Sequence, residues 1–164
     1  MRIRNAPLSN PSVYLITCVS HNSRESERMR KYNVRRGPPV IFSEKDEIFI
    51  TKSFAGLVKK NDLKILAYNI CKDHIHFVIV CASDKLNSIV QNMKSVTSRK
   101  FNSRRKVPEL WAQKFSRKII EDDEGLENVL DYVQNNRMKH NLEENKMLQR
   151  IIEGMLTPIE SLYD

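Results

Sequence analysis

Apolar positions along the chain follow two periods, and the switches between them lay out a series of elements. Val13 to Ser20, entered behind Pro11, is rich in β-branched and aromatic residues and predicts a first strand. A polar, basic stretch then leads to Pro38-Pro39. Ser43 and Asp46 have the spacing of a capping box, and Ile50, Phe54, Leu57 and Val58 recur at i, i+4, i+7 and i+8. A helix with one buried stripe is expected there, ended by Asn61-Asp62. Leu63 to Ile70 and His74 to Cys81 are apolar, β-rich runs separated only by Cys71-Lys72-Asp73, short enough for an antiparallel hairpin at the centre of a sheet. Ser83 is placed to cap a further helix with Leu86, Ile89, Val90, Met93 and Phe101 inward and Lys94, Arg99 and Lys100 outward, broken by Val107-Pro108.

Trp111 to Ile120 reads as another strand, carrying Trp111, Phe115, Arg117 and Lys118. After an acidic turn, Asp122-Asp123-Glu124-Gly125, the residues Leu126, Val129, Leu130 and Val133 form the stripe of a helix, with Tyr132 and Asn136 on one flank of it. Met147-Leu148, Ile151-Ile152 and Met155-Leu156 are again helically spaced. That last segment can cover the core, meet a second subunit or close over a site, and spacing alone does not choose.

A chain of 164 residues, 40% of them apolar, is expected to form a single domain over 1–164, with a core of about 12–141 and a C-terminal helical extension of about 142–164. Its net charge of +8 and pI near 9.5 favour a polyanionic partner, with nucleic acid foremost. Lys94, Arg99, Lys100, Arg104, Arg105 and Lys106 supply positive charge in a stretch without an acid between Lys85 and Glu109. A second cluster holds Arg24, Arg28, Arg30, Lys31, Arg35 and Arg36, diluted only by Glu25 and Glu27. Such runs also occur as ordinary solvated faces. Cys18, Cys71 and Cys81 have no framework spacing, so disulfides are not expected. No secretory signal and no apolar run near the ~18 residues that span a bilayer are present, which predicts a soluble cytoplasmic protein without a membrane partner.

His74 and His76 alternate along a strand and therefore share one face, while Ile75, Phe77 and Ile79 share the other. Taken alone, such a pair also suits hydrogen-bonded core histidines, and Tyr132 and Asn136 suit an ordinary helix flank. A zinc site from Cys71, His74 and Cys81 is disfavoured because strand parity sends both cysteines to the opposite face unless the strand bulges. Together, two ring nitrogens, an amide oxygen and a phenol compose a different site. A divalent cation on His74, His76 and Asn136 would act as a Lewis acid on a phosphodiester, and Tyr132 would attack phosphorus. Mg2+ or Mn2+ is the expected ion, although nitrogen ligands also accept zinc, cobalt or nickel. Arg117, Lys118 and Lys139 are candidate backbone or transition-state contacts.

His74-Ile75-His76 and the stretch Tyr132-Val133-Gln134-Asn135-Asn136 resemble the motifs of the single-tyrosine HUH transposases, and in particular the REP-associated tyrosine branch. The resemblance spans roughly Val13 to Asn141 and includes a strand at Trp111 to Phe115. The order of histidines before tyrosine differs from that of relaxases. It implies an α+β, ferredoxin-like sandwich with a central antiparallel sheet and helices packed on it. It further implies metal-dependent nicking and joining of single-stranded DNA bearing a hairpin, with His74, His76 and Asn136 as metal ligands and Tyr132 as nucleophile. Monomer and homodimer both stay open, since some members set the tyrosine helix of one subunit at the histidines of another. Arg137 stands where the branch often has proline, and His140 where it has a small residue. The rival readings are a non-catalytic single-stranded nucleic-acid-binding module of the same fold and an origin nickase with the same chemistry.

Overall fold

The computed structural model describes residues 11–107 and 109–162. Its elements are β1 (Pro11–Val19), α1 (Glu27–Lys31), α2 (Glu44–Lys60), β2 (Lys64–Ile70), β3 (His74–Ala82), α3 (Leu86–Arg104), β4 (Ser116–Ile120), α4 (Asp123–Gln134), α5 (Asn136–Lys139), α6 (Lys146–Met155) and a final 3-10 turn (Ile159–Leu162). The strands form one antiparallel sheet in the order β2-β3-β1-β4. With α2 and α3 as the crossovers, this is the β-α-β-β-α-β arrangement of a ferredoxin-like sheet.

Strand alternation divides the core in two. Ile16, Cys18, Ile75, Phe77 and Ile79 face one way and pack against Ile50, Phe54 and Leu57 of α2, Leu86, Val90 and Phe101 of α3, and Leu148 and Met155 of α6. Val13, Val78, Val80 and Ile120 face the other way, under Leu126, Val129 and Val133 of α4. Both faces of the sheet are therefore covered, and β3 is buried over nearly its whole length. Among the described residues, no helix is long and apolar enough to cross a membrane.

Several local expectations are corrected. β2 is an edge strand, so the hairpin is not the sheet centre; β3 and β1 are. The cap residue of α3 is Lys85, without a side-chain bond, rather than Ser83. That helix ends at Arg104, ahead of Val107, and Pro108 lies outside the described residues, as does the N-terminal segment read for a signal. Lys94 does not remain outside: it is buried, and its Nζ donates to the Gln113 carbonyl at 2.8 Å. Lysine's long apolar stem lets it lie under the 109–113 loop while the ammonium finds a carbonyl. The expected strand at Trp111 to Ile120 shrinks to Ser116–Ile120, with Trp111 forming an isolated bridge to Ser20 and its indole donating to Thr97 Oγ1. The acidic turn leads into α4 as expected: Asp122 caps it by accepting from the Gly125 N–H, and Asp123 and Glu124 stand at the positive end of the helix dipole.

The capping box of α2 forms as expected: the Asp46 N–H donates to Ser43 Oγ, and the Ser43 N–H to Asp46 Oδ2 at 2.9 Å. Asp46 is buried and also receives Arg105 at 2.9 Å and Arg104 at 3.4 Å. Burial alone would raise its carboxyl, but the bonds from Ser43, Arg105 and Arg104 outweigh it and hold the group below the ordinary carboxylate range. Two of the basic residues expected to face nucleic acid therefore already serve the fold. The next residue of α2, buried Glu47, pairs with Arg137 of α5 at 3.1 Å, and Arg137 also donates to the Ile70 and Glu143 carbonyls. Burial pushes the Glu47 carboxyl up in spite of that guanidinium.

Asp46→Asn is expected to cost about 1–3 kcal/mol near neutral pH, the usual penalty for losing a charge-assisted hydrogen bond in a buried site. Because the folded carboxyl titrates below the unfolded one, wild type and variant converge as the pH falls through the folded value, and urea denaturation at neutral and strongly acidic pH checks this. Arg137→Ala is expected to cost about 3 kcal/mol by stranding Glu47; a loss below about 1 kcal/mol in the same assay would assign the brace no net role.

Candidate active site

The polar site grows from one register of the sheet. Asn69 of β2 pairs with His76 of β3, His76 with Thr17 of β1, and Thr17 with Ser116 of β4, so a polar row crosses all four strands on the face covered by α4. One row further stands His74 opposite Val19. Each histidine has one ring nitrogen anchored from outside: His76 Nδ1 lies 2.7 Å from Thr17 Oγ1, and His74 Nδ1 lies 2.7 Å from Asp73 Oδ1. Burial would raise Asp73, yet Arg24, at 2.6 Å, and His74 hold it below the ordinary carboxylate range, so this carboxylate accepts from the imidazole. The outer partners fix ring orientation and leave Nε2 of each ring as the inward nitrogen, as in metal-binding histidines.

The end of α4 is pinned to the same row. Asn69 Nδ2 donates to the Val133 and Gln134 carbonyls at 3.0 and 3.2 Å, tying up two terminal groups of the helix. The helix then breaks at Asn135, and Asn136 opens the short α5, so Tyr132 and Asn136 do not lie on one continuous helix as their spacing suggested. The break separates their depths. Tyr132 is 38% exposed with its ring 5.3 Å from that of His76, whereas Asn136 is 1% exposed. Lys139 Nζ sits 4.4 Å from the Tyr132 ring centroid, a cation over the face of the phenol.

Asn136 carries the test of metal fit. Its Oδ1 lies 3.0 Å from His74 Nε2 and accepts from the Cys71 thiol at 3.0 Å, while its Nδ2 is the buried side-chain polar atom left without a partner among the described residues. A cation seated between His74 Nε2 and Asn136 Oδ1 would be met by an imidazole nitrogen and an amide oxygen. Two ligands at right angles about 2.1 Å from one ion stand ~3.0 Å apart, which matches the observed separation. His76 is pushed down to about 4, by burial first and then by His74 and His140, so its ring is neutral at pH 7 and keeps a lone pair that could ligate a cation.

Two residues that the sequence pattern set apart from the histidine pair lie beside His74. Cys71 lies in the turn beyond β2, where parity does not apply, and its N–H donates to the His74 carbonyl, bringing its sulfur beside His74. Cys81 stays with the opposite core, and the three cysteines are free thiols. His140, read as a departure, packs its ring 5.0 Å from that of His74. Cys71, His74 and His140 place ligand atoms within 4.8 Å of one another, a possible metal-binding cluster.

The basic residues are not brought together. Lys118 lies exposed on the histidine face, in register with Leu15, while Arg117 turns to the other face, stacks on Phe115 and bonds Asn87. Arg99, Lys100 and Lys106 are exposed on or just beyond α3, the layer behind the sheet, and Lys94, Arg104 and Arg105 are engaged as described.

Comparison with known proteins bears on this geometry. Residues 34–136 match the family model described as "Transposase IS200 like", a span that holds both histidines, Tyr132 and Asn136. No curated protein matches the chain. Among solved structures, a REP-associated tyrosine transposase bound to a REP hairpin is similar with a TM-score of 0.56 at 14% identity, covering 87% of this chain and 76% of that one. A candidate transposase from Deinococcus radiodurans is similar with a TM-score of 0.54 at 12% identity, covering 82% and 96%. At such identities the structures speak for a shared fold, and the family follows from the sequence match that spans more than half of the residues and encloses the histidine row: the chain belongs to the IS200-like transposases.

Proposed function

We propose that the protein is a metal-dependent transposase that nicks and joins single-stranded DNA carrying a hairpin, through a phosphotyrosine at Tyr132. The observation that carries this reading is the placement, within one chain, of a half-open tyrosine ring 5.3 Å from His76 while Asn136 abuts His74 Nε2. The hairpin is taken from the related structure, whose bound ligand it is.

His74, His76 and Asn136 would hold Mg2+ or Mn2+, which when bound polarises a scissile phosphate oxygen. Tyr132 supplies the nucleophile. Its Oη forms the bond to phosphorus as the bond from phosphorus to the 3′-oxygen breaks; the phenolic proton passes to water and the departing 3′-oxygen takes one up. The products are a 5′-phosphotyrosine and a free 3′-hydroxyl, so the diester energy is retained and the reverse attack rejoins strands without ATP. Lys139, over the phenol face, lies where it can meet a phosphate as the tyrosine oxygen bonds to it, and Lys118 on the same sheet face can take an adjacent phosphate. Arg99, Lys100 and Lys106 remain candidates for more distant backbone contacts; Arg104 and Arg105 could add contacts only through donors not committed to Asp46, and Lys94 and Arg117 only after leaving their present partners.

Incubated with Mn2+ and a hairpin-bearing single strand, the wild-type protein is expected to give a covalent adduct on denaturing electrophoresis, lost with Tyr132→Phe and with chelator and restored by added Mg2+ or Mn2+. No adduct from wild type, or an undiminished one from the variant, removes the reading in favour of a binding module. Thr17→Val, which frees His76 Nδ1, is expected to weaken Mn2+ binding by about 10–100-fold in calorimetry; unchanged affinity would mean that packing alone orients His76.

A further inference from the structure

Two chain features beyond the histidine pair, the cysteine of the β2–β3 turn and the histidine that follows α5, converge on His74. The Cys71 sulfur and His74 Nε2 both lie 3.0 Å from Asn136 Oδ1, and the His140 ring stands 5.0 Å from that of His74. His76 also adjoins His74, its ring 4.8 Å from that of His74 and 5.3 Å from that of Tyr132. His74 is thus shared by two overlapping donor sets of different chemistry. One is nitrogen and oxygen, suited to Mg2+ or Mn2+; the other contains a thiol and two imidazoles, suited to a softer ion.

We propose that Cys71, His74 and His140 form a second coordination set for a thiophilic divalent ion such as Zn2+, and that filling it withdraws His74 from the set it shares with His76 and inhibits the enzyme. A tetrahedral zinc ion with sulfur at about 2.3 Å and nitrogen at about 2.0–2.1 Å needs ligand separations of roughly 3.3–3.6 Å. The present ligand atoms, all within 4.8 Å of one another, close to those distances by side-chain rotations of about 1 Å. His140 is exposed and gives the ion its route from solvent, while Asn136 Oδ1 or a water completes the fourth position. Binding exchanges the thiol proton for the metal, releasing one proton to solvent. Toward a hard ion the same thiol stays protonated and serves only as a donor to Asn136. The backbone favours convergence: Arg137 ties α5 to the Ile70 carbonyl at the end of β2, so both outer ligands hang from one braced corner.

The binding half of this proposal stands by itself, and the inhibitory half rests on the metal-dependent cleavage proposed above. Co2+ added to the full chain is expected to give a near-ultraviolet sulfur-to-cobalt charge-transfer band, lost in Cys71→Ser and diminished in His140→Asn, a change at an exposed position that leaves folding intact. No such band in folded wild type, or the same band in both variants, overturns the site. In the Mn2+-supported adduct assay, the Zn2+ concentration for half-inhibition is expected to rise more than about tenfold in His140→Asn relative to wild type, since even outer-sphere changes cost ~10–100-fold in affinity. Equal inhibition overturns the regulatory role. Absence of any Mn2+-supported adduct overturns it too, along with the cleavage reading, while the cobalt spectra still decide the binding.

Discussion

A sheet face buried under a helix tolerates polar side chains only where every one of them is bonded, and that requirement governs how this molecule is built around its site. Val13, Val78, Val80 and Ile120 give α4 an apolar floor, and the floor stops at the row Asn69, His76, Thr17 and Ser116. An apolar helix stripe cannot continue over that row without stranding the imidazole and the amide. The chain meets the constraint by ending α4 there: Asn69 takes the terminal carbonyls, Thr17 takes His76, and Asn136 is turned inward against His74. Among the described residues, the buried side-chain atom left unmet, Asn136 Nδ2, marks the point at which satisfaction by protein groups runs out.

Much of this is written in periodicity. The alternation around His74 and His76 separates a core face from a site face, and the structure keeps that separation, with Ile75, Phe77 and Ile79 in one cluster and the histidines against Tyr132 and Asn136. The capping box and buried stripe of α2 were equally legible, because they depend on residues three or four apart. What escaped depends on contacts remote in sequence or on backbone that follows no period. Lys94 looks like a surface lysine on a helical wheel, and only the loop at 109–113 folding over it supplies the carbonyl that holds its ammonium. Parity placed Cys71 on the wrong side because parity holds within strands, and Cys71 sits one residue beyond β2 in the turn. The residues from Trp111 to Phe115 have strand-like composition but sit beyond the β1–β4 pairing, which begins at Thr17 and Ser116.

Charge tells a similar story of competing uses. The basic stretch near the end of α3 looked like a footprint for phosphate, yet Arg104 and Arg105 neutralise a carboxylate that is itself committed to a helix cap. Positive charge in a sequence measures attraction to polyanions only after the internal pairs are subtracted. Here the subtraction leaves Lys118 and Lys139 as cations lying with the tyrosine on the site face, and leaves Arg99, Lys100 and Lys106 exposed on the far layer or beside it.

For the reaction proposed above, the break at Asn135 lets one segment serve two different needs. A nucleophile has to meet a strand of DNA and must be reachable from solvent; a metal ligand has to be held still, out of competition with water. On an unbroken helix, residues four apart sit on the same face at similar depth, so Tyr132 and Asn136 would be both open or both buried. Bending the chain after Gln134 leaves the phenol 38% exposed and sinks the amide to 1%. The bend needs external support, because carbonyls in the last turn of α4 lose their helical partners there. Asn69 provides it from the sheet, and Arg137 provides it beyond the bend by pairing with Glu47 and bonding the Ile70 carbonyl. Arg137 thus braces the corner from which Asn136, Lys139 and His140 reach the histidines and the tyrosine.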